Sequence, residues 1–195
     1  REMDGDPIVF SADMIRKMRE GVDGWGNTNW YKKYFGTGHR THHNLNATGG
    51  SDRVHFFASL GYLKEKGNID KYNYDRLNLR SNIDAKLTKS LTFTLGVSGR
   101  VEMRDQPRYS ANPDDWHNLP QQIIRALPYV PETYEYQGKV YPVSTPTASS
   151  PIAPSASIYD SGYSNSTKTY VQSNFSLKYD APWLKGLSFK FQGAY

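Results

Sequence analysis

The chain contains 195 residues, carries a formal net charge of +5 and has no cysteine, which excludes disulfides and thiolate metal sites. Its basic residues are scattered rather than clustered among aromatic residues, so no nucleic-acid partner is predicted. A diffuse positive charge is better matched to an anionic membrane surface, such as outer-membrane lipid with lipopolysaccharide.

The N-terminal part of the sequence shows no targeting segment and no transmembrane helix. It lacks an initiator Met and a charged-then-apolar signal pattern, so we expect an export signal to lie upstream or to have been removed. No apolar run anywhere approaches the roughly 18 residues that indicate a membrane-spanning helix.

Residues 1–38 are predicted to form a loop region, on the extracellular side, with one short helix. Ser11 is suited to cap that helix, Met14 and Met18 supply an apolar stripe, and Gly21 is suited to end it. The prediction is a helix between Ser11 and Gly21.

From residue 39 onward, apolar residues recur at every second position. Leu77 and Leu79, for example, alternate with Asn78 and Arg80. This period of two is typical of β-strands with one apolar and one polar face. Six strands are predicted, at 39–48, 53–63, 72–87, 90–104, 165–179 and 187–195.

The lengths of the connections alternate between short and long. Residues 39–104 hold four antiparallel strands, residues 105–164 form a long extracellular loop, and residues 165–195 hold two further strands. Short turns at one end and long loops at the other are typical of outer-membrane β-barrels. Such barrels have at least eight strands, and the sixth stops at Tyr195, so we expect a truncated piece of a large transmembrane barrel. The fold class is therefore all-β, with antiparallel up-and-down strands.

A second fold is compatible with the same periodicity. The charged residues opposite the apolar face would lie in the lumen of a wide barrel, or in bulk water on a soluble sandwich. The alternative prediction is accordingly a soluble, secreted β-sandwich that binds carbohydrate.

Several short motifs follow one another in a characteristic order. They are Asn-Thr-Asn-Trp-Tyr at 27–31, His-Asn-Leu at 43–45, Gly-Gly-Ser at 49–51, Phe-Ala-Ser-Leu-Gly-Tyr at 57–62 and Arg-Leu-Asn-Leu-Arg-Ser-Asn at 76–82. Their order resembles the early barrel of SusC/RagA-type TonB-dependent transporters. Asn29 departs from the Asp common in that family, and residues 128–150 lack a clear counterpart.

The resemblance implies a cell outer-membrane transporter, and no cofactor is predicted. In this family a barrel of about 22 strands holds an N-terminal plug and imports glycans, peptides or other nutrients. It also implies a SusD-like surface lipoprotein as a lid, and contact with the TonB complex through an N-terminal part that this chain lacks.

The long loop contains the candidate substrate-binding residues Asp115, Trp116, Tyr134 and Tyr136. Aromatic faces beside carboxylates suit sugar rings, whose C–H faces are apolar and whose hydroxyls need hydrogen bonds. The alternative is that these aromatics pack the loop on itself or contact the lipoprotein. A short helix is predicted at 119–127.

Two other groups of polar residues are candidates for catalysis or metal binding. Asp114 and Asp115, with Glu132 and Glu135, lie in a proline-punctuated loop with nothing to hold two carboxylates at a catalytic separation. Adjacent histidines in the 39–43 segment would point to opposite faces of a strand. We therefore predict neither an enzyme nor a metal site.

Overall fold

The computed structural model describes residues 10–108, 119–144 and 153–195, within which lie four helices and eight strands. The helices are α1 (Ala12–Glu20), α2 (Trp30–Tyr34), α3 (Leu119–Arg125) and α4 (Pro154–Tyr159). The strands are β1 (His39–Gly50), β2 (Val54–Lys66), β3 (Asn73–Lys86), β4 (Leu91–Pro107), β5 (Thr133–Tyr136), β6 (Lys139–Pro142), β7 (Tyr163–Asp180) and β8 (Ser188–Ala194). None of the described helices has the length and hydrophobicity required to cross a membrane.

The chain divides into two compact units. The sheet unit comprises residues 38–67, 72–105 and 165–195, and the loop unit comprises residues 1–37, 68–71 and 106–164. The loop unit thus consists of the segments that precede β1, connect β2 to β3, and connect β4 to β7.

The sheet unit is a single six-stranded sheet in the order β1-β2-β3-β4-β7-β8. Its short turns, residues 51–53, 87–90 and 181–187, lie at one end, and the long connections leave from the other. The predicted antiparallel up-and-down arrangement is confirmed, and within this chain the sheet is open rather than closed into a barrel. The strands extend to 17 residues in β4 and 18 in β7, longer than the roughly 9–11 that cross a bilayer.

The register brings the apolar residues of neighbouring strands onto one face of the sheet. Leu60 of β2 lies opposite Leu79 of β3, and Ile83 of β3 lies opposite Leu95 of β4. Much of this apolar face is exposed, including 70% of Leu45, 53% of Leu79 and 65% of Phe191.

The opposite face of the same sheet is polar. Asn78 lies opposite Arg100, and Arg80 lies opposite Ser98. Because the side-chain period of a strand is two, a slip of one residue would exchange the two faces, so the register is strongly specified wherever the faces have different surroundings.

Helix α1 has the limits predicted from its capping residues. The Ser11 hydroxyl accepts a hydrogen bond from the Met14 backbone N–H at 3.2 Å. Gly21 adopts a left-handed conformation with φ of 66°, and its N–H donates to the Lys17 carbonyl at 2.8 Å. Glycine is favoured at this position because it has no Cβ to clash.

The loop unit has a hydrophobic core of its own, built from three short helices. Trp30 and Tyr34 of α2 are buried, as are Leu119 and Ile123 of α3 and Ile158 of α4. The region predicted as loop therefore contains more regular structure than expected: α2 and α4 were not predicted, and α3 ends two residues earlier than the prediction of 119–127.

Candidate functional site

Two of the predicted substrate-binding residues lie on a β-hairpin formed by β5 and β6 in the loop unit. The turn between these strands consists of Gln137 and Gly138, with φ of 51° and 73°. Positive φ at both central residues is what a two-residue type I′ hairpin requires. The hairpin was not predicted, although a glycine-containing dipeptide between two short alternating segments is a recognised sign of one.

The tyrosines of this hairpin share one face. Tyr134 lies opposite Tyr141, with the two rings stacked at a centroid distance of 5.4 Å, and Tyr136 lies opposite Lys139. Tyr134 and Tyr136 remain 51% and 59% exposed. Exposed phenol rings offer an apolar surface together with a hydroxyl, which suits a sugar ring or a peptide side chain.

Glu132 ties the base of the hairpin to helix α2. Its carboxylate accepts hydrogen bonds from the Lys33 ammonium and the Tyr34 hydroxyl, and its backbone carbonyl accepts from the Val143 N–H at 2.7 Å. Both carboxylate oxygens are therefore engaged within the loop unit. Glu132 is one of the loop carboxylates considered from the sequence as a catalytic candidate, and its contacts give it an anchoring role instead.

The surroundings of Tyr34 change its acidity. Burial raises the pKa of the Tyr34 hydroxyl, and the hydrogen bond to Glu132 and its negative charge raise it further. The neutral phenol can donate to the carboxylate, whereas a phenolate would be repelled by it. The contact thus depends on Tyr34 remaining protonated.

A close approach of two backbone segments supports the same region. The Gly26 N–H donates to the Tyr129 carbonyl at 2.8 Å, and the Thr28 N–H donates to the Pro128 carbonyl at 2.9 Å. A Cβ on Gly26 would lie only 2.4 Å from the Val130 carbonyl oxygen, so this position has no room for a side chain. The indole N–H of Trp30 adds a hydrogen bond of 2.9 Å to the Leu127 carbonyl.

Helix α4 is attached to the connection between β2 and β3. The Lys71 ammonium lies 5.1 Å from the centroid of the Tyr159 ring and donates to the Tyr159 carbonyl at 3.3 Å. Burial raises the pKa of the Tyr159 hydroxyl, and the charge of Asp70 adds to this effect. Contacts between distant parts of the sequence thus link α2 to the hairpin and α4 to residues 68–71.

The structure brings together only part of the predicted site. Tyr134 and Tyr136 lie side by side on one hairpin face. Asp115 and Trp116 lie outside the described residues, as does Asp114. Strand β1 places His39 and His43 on one face and His42 on the other, and the described residues contain no group of three or more His, Asp or Glu side chains that could hold a metal ion. Substrate binding by the tyrosines stays a prediction.

Comparisons with known proteins find similarity to this chain in both sequence and structure. TonB-dependent receptor P3 of Formosa agariphila is 31% identical over 84 residues, which is 43% of this chain and 8% of that receptor. A structure of the RagAB peptide importer in a closed-closed state matches 86% of the chain with a TM-score of 0.60 and 19% identity, and covers 18% of its own chain. A second structure, of the RagAB peptide transporter, matches 95% with a TM-score of 0.63 and 17% identity, and covers 23% of its own chain.

The predicted resemblance to SusC/RagA-type TonB-dependent transporters is confirmed. No protein-family model matches the chain. The matched proteins are receptors and transporters rather than enzymes. The chain spans less than a quarter of the length of each of these relatives.

Proposed function

We propose that this chain is part of the barrel wall and surface loops of an outer-membrane importer that takes up glycans, peptides or other oligomeric nutrients. Energy would come from the TonB complex, acting through a plug outside this chain. A surface lipoprotein of the SusD type would close over the loops, and the basic residues would contact lipopolysaccharide at the membrane surface.

The two-faced sheet is the observation that carries this proposal. Leu45, Leu79 and Phe191 lie on one face and are each more than half exposed. Exposing apolar surface to water costs about 25 cal/mol per Å², so a face of this extent is stable only against an apolar phase. In a bilayer the hydrocarbon would cover it, and the polar face would line a water-filled lumen.

The hairpin tyrosines supply the second part of the proposal. Tyr134 and Tyr136 form an exposed aromatic surface on a hairpin that Glu132 anchors to α2. A rigidly held aromatic surface binds a ligand with less loss of conformational entropy than a mobile loop does. We assign these tyrosines to substrate capture, with contact to the surface lipoprotein as the competing role.

The soluble carbohydrate-binding sandwich is less well supported. A sandwich requires two sheets of comparable size packed face to face. The described residues contain a six-stranded sheet with strands of up to 18 residues, and a second sheet of only two four-residue strands. Such a hairpin is too small to cover the apolar face.

The deciding experiment is membrane fractionation of the full-length parent protein, followed by electrophoresis with and without boiling. Recovery in the outer membrane, with a mobility that changes on boiling, is expected of a folded barrel. A soluble secreted product whose mobility is unaffected by boiling would refute the importer and favour the sandwich.

A further inference from the structure

The polar face of the sheet unit carries arginines near the middle of two adjacent strands. On β3 the residues of this face include Arg76 and Arg80, and on β4 they include Arg100 and Glu102. Arg80 is directly opposite Ser98, so Arg100 is its diagonal neighbour. Diagonal neighbours on a sheet face are roughly 7–8 Å apart, which is within reach of two guanidinium groups around one ligand.

The two central arginines differ in how they are held. Arg100 is fixed: its Nε lies 3.1 Å from a carboxylate oxygen of Glu102, and its guanidinium lies 4.4 Å from the centroid of the Tyr170 ring. Arg80 is exposed, and within the part of the chain that the structure describes it has no acidic partner. The nearest acidic residue along β3 on this face, Asp84, accepts a hydrogen bond from the Thr94 hydroxyl at 2.7 Å.

A depression of about 340 Å³ lies between these arginines. Its lining comprises Leu79 and Gly99 together with arginine, amide, hydroxyl and phenol side chains, which are contributed by Asn78, Arg80, Ser98, Arg100, Tyr170 and Gln172. Each of the polar side chains can donate hydrogen bonds, and no carboxylate lines the depression. The lining is therefore complementary to an anion.

We propose that the depression between Arg80 and Arg100 binds a carboxylate of the imported substrate, so that the substrates are acidic oligomers. The planar fork of a guanidinium matches a carboxylate with two parallel hydrogen bonds. Arg80 supplies this fork, and Asn78 and Gln172 donate further hydrogen bonds from their amides. This inference rests on the proposed function, because only in a barrel does the polar face meet the substrate.

The test measures binding to the purified full-length parent protein in detergent. One pair of probes is a glutamate-containing tetrapeptide and its glutamine counterpart. A second pair is an oligogalacturonate and a neutral oligosaccharide of the same length. Within at least one pair the acidic probe is expected to bind about tenfold more tightly, which is the size of one charge-assisted contact. The pair that discriminates identifies the source of the carboxylate.

Three variants then locate the site. Arg80→Gln is expected to remove most of the acidic preference, and Arg80→Lys is expected to retain part of it, because the charge remains while the fork is lost. Lys190→Gln, on the polar face of β8 outside the depression, is expected to leave the preference unchanged. Each variant is checked for outer-membrane recovery and heat-dependent mobility.

Two results would overturn the inference in distinguishable ways. If the protein is a folded outer-membrane barrel but Arg80→Gln and Lys190→Gln have equal effects, or no probe pair discriminates, the carboxylate site is refuted and the proposed function stands. If the parent protein is not recovered in the outer membrane, the proposed function fails, and the inference fails with it.

Discussion

The ring of Phe56 on β2 covers Gly49, its direct partner on β1. A Cβ on Gly49 would lie 2.6 Å from Cε1 of Phe56. Phe175 on β7 has the same relationship with Gly193 on β8, where the corresponding distance is 2.7 Å. In both pairs an aromatic ring shields the bare backbone of a glycine on the first or last strand of the sheet. We infer that these two contacts help to define the register of β1 and β8.

Replacing the glycine under one of these rings should weaken the sheet. Gly49→Val would displace the Phe56 ring, and overpacking of this kind costs about 1–3 kcal/mol. The measurement is the temperature at which the full-length protein changes from its folded to its unfolded mobility on a gel. Gly99→Val on β4 is the matched control, because the nearest atom to a Cβ there is the Tyr170 carbonyl oxygen at 4.0 Å. Equal losses in both variants would contradict the role of the aromatic cover.

Neighbouring residues on β3 should differ sharply in their tolerance of charge. Leu79 belongs to the apolar face and Asn78 to the polar face. Leu79→Lys should destabilise the folded barrel by about 2–4 kcal/mol, the cost of a lysine facing lipid near the bilayer midplane, whereas Asn78→Lys should have little effect. Denaturant titration of both variants in lipid vesicles measures the difference. If the two variants are equally stable, the apolar face does not face lipid.

The contact between Gly26 and residues 129–131 should not tolerate a side chain. In Gly26→Ala the new Cβ would lie 2.4 Å from the Val130 carbonyl oxygen and 2.6 Å from the Pro131 nitrogen. Because these are backbone atoms, the segments must separate, at a cost of about 1–3 kcal/mol. Hydrogen exchange should then speed up at Gly26 and Thr28.

The matched control for that substitution is Gly36→Ala. The Cβ of residue 36 would lie 3.7 Å from the Asn68 carbonyl oxygen, which is an ordinary contact. No change in exchange at Gly26 and Thr28 is expected in this control. Unchanged exchange in Gly26→Ala as well would refute the close packing of the two segments.

The loop unit should lose stability at alkaline pH through Tyr34. Its pKa is raised on folding, chiefly by burial and then by Glu132, so the folded state holds its proton more tightly than the unfolded state. The resulting stability is fully present below the ordinary tyrosine pKa of about 10 and declines as the pH rises above it.

Tyr34→Phe should reduce the loss of loop-unit stability at alkaline pH, since the phenylalanine side chain has no proton to lose. Hydrogen exchange of the α2 backbone amides, measured in both proteins from neutral pH to above 10 and corrected for intrinsic exchange, provides the comparison. If the stability of α2 falls equally steeply with pH in Tyr34→Phe, a group other than Tyr34 causes the loss.

The aromatic face of the hairpin should contribute to substrate capture. Tyr136→Ala is expected to weaken binding of the imported oligomer several-fold, corresponding to about 1 kcal/mol for loss of one aromatic contact. Val140→Ala is the control, because Val140 lies on the opposite face of the same hairpin and is 68% exposed. Titration calorimetry measures substrate binding by both variants. If only binding of the surface lipoprotein is weakened, the tyrosines form a partner interface.

The local pattern of the sequence was sufficient to predict the six strands of the sheet unit and the first helix. Alternating residues such as Leu77, Asn78 and Leu79 reveal a strand because the side chains of any extended segment point to opposite faces, whatever its partners. Ser11 and Gly21 likewise mark the ends of α1 because they act on backbone groups only a few residues away.

The sequence by itself thus determined the six strands of the sheet unit, their two faces and the alternation of their connections, since all three depend on neighbours along the chain. Only the tertiary structure decided how the loop unit supports its hairpin. Lys33 and Tyr34 meet Glu132 across almost a hundred residues of sequence, and Gly26 meets Tyr129 across a similar separation. Such contacts leave no periodic trace, because each results from the packing of short helices whose positions are defined only when their buried faces come together.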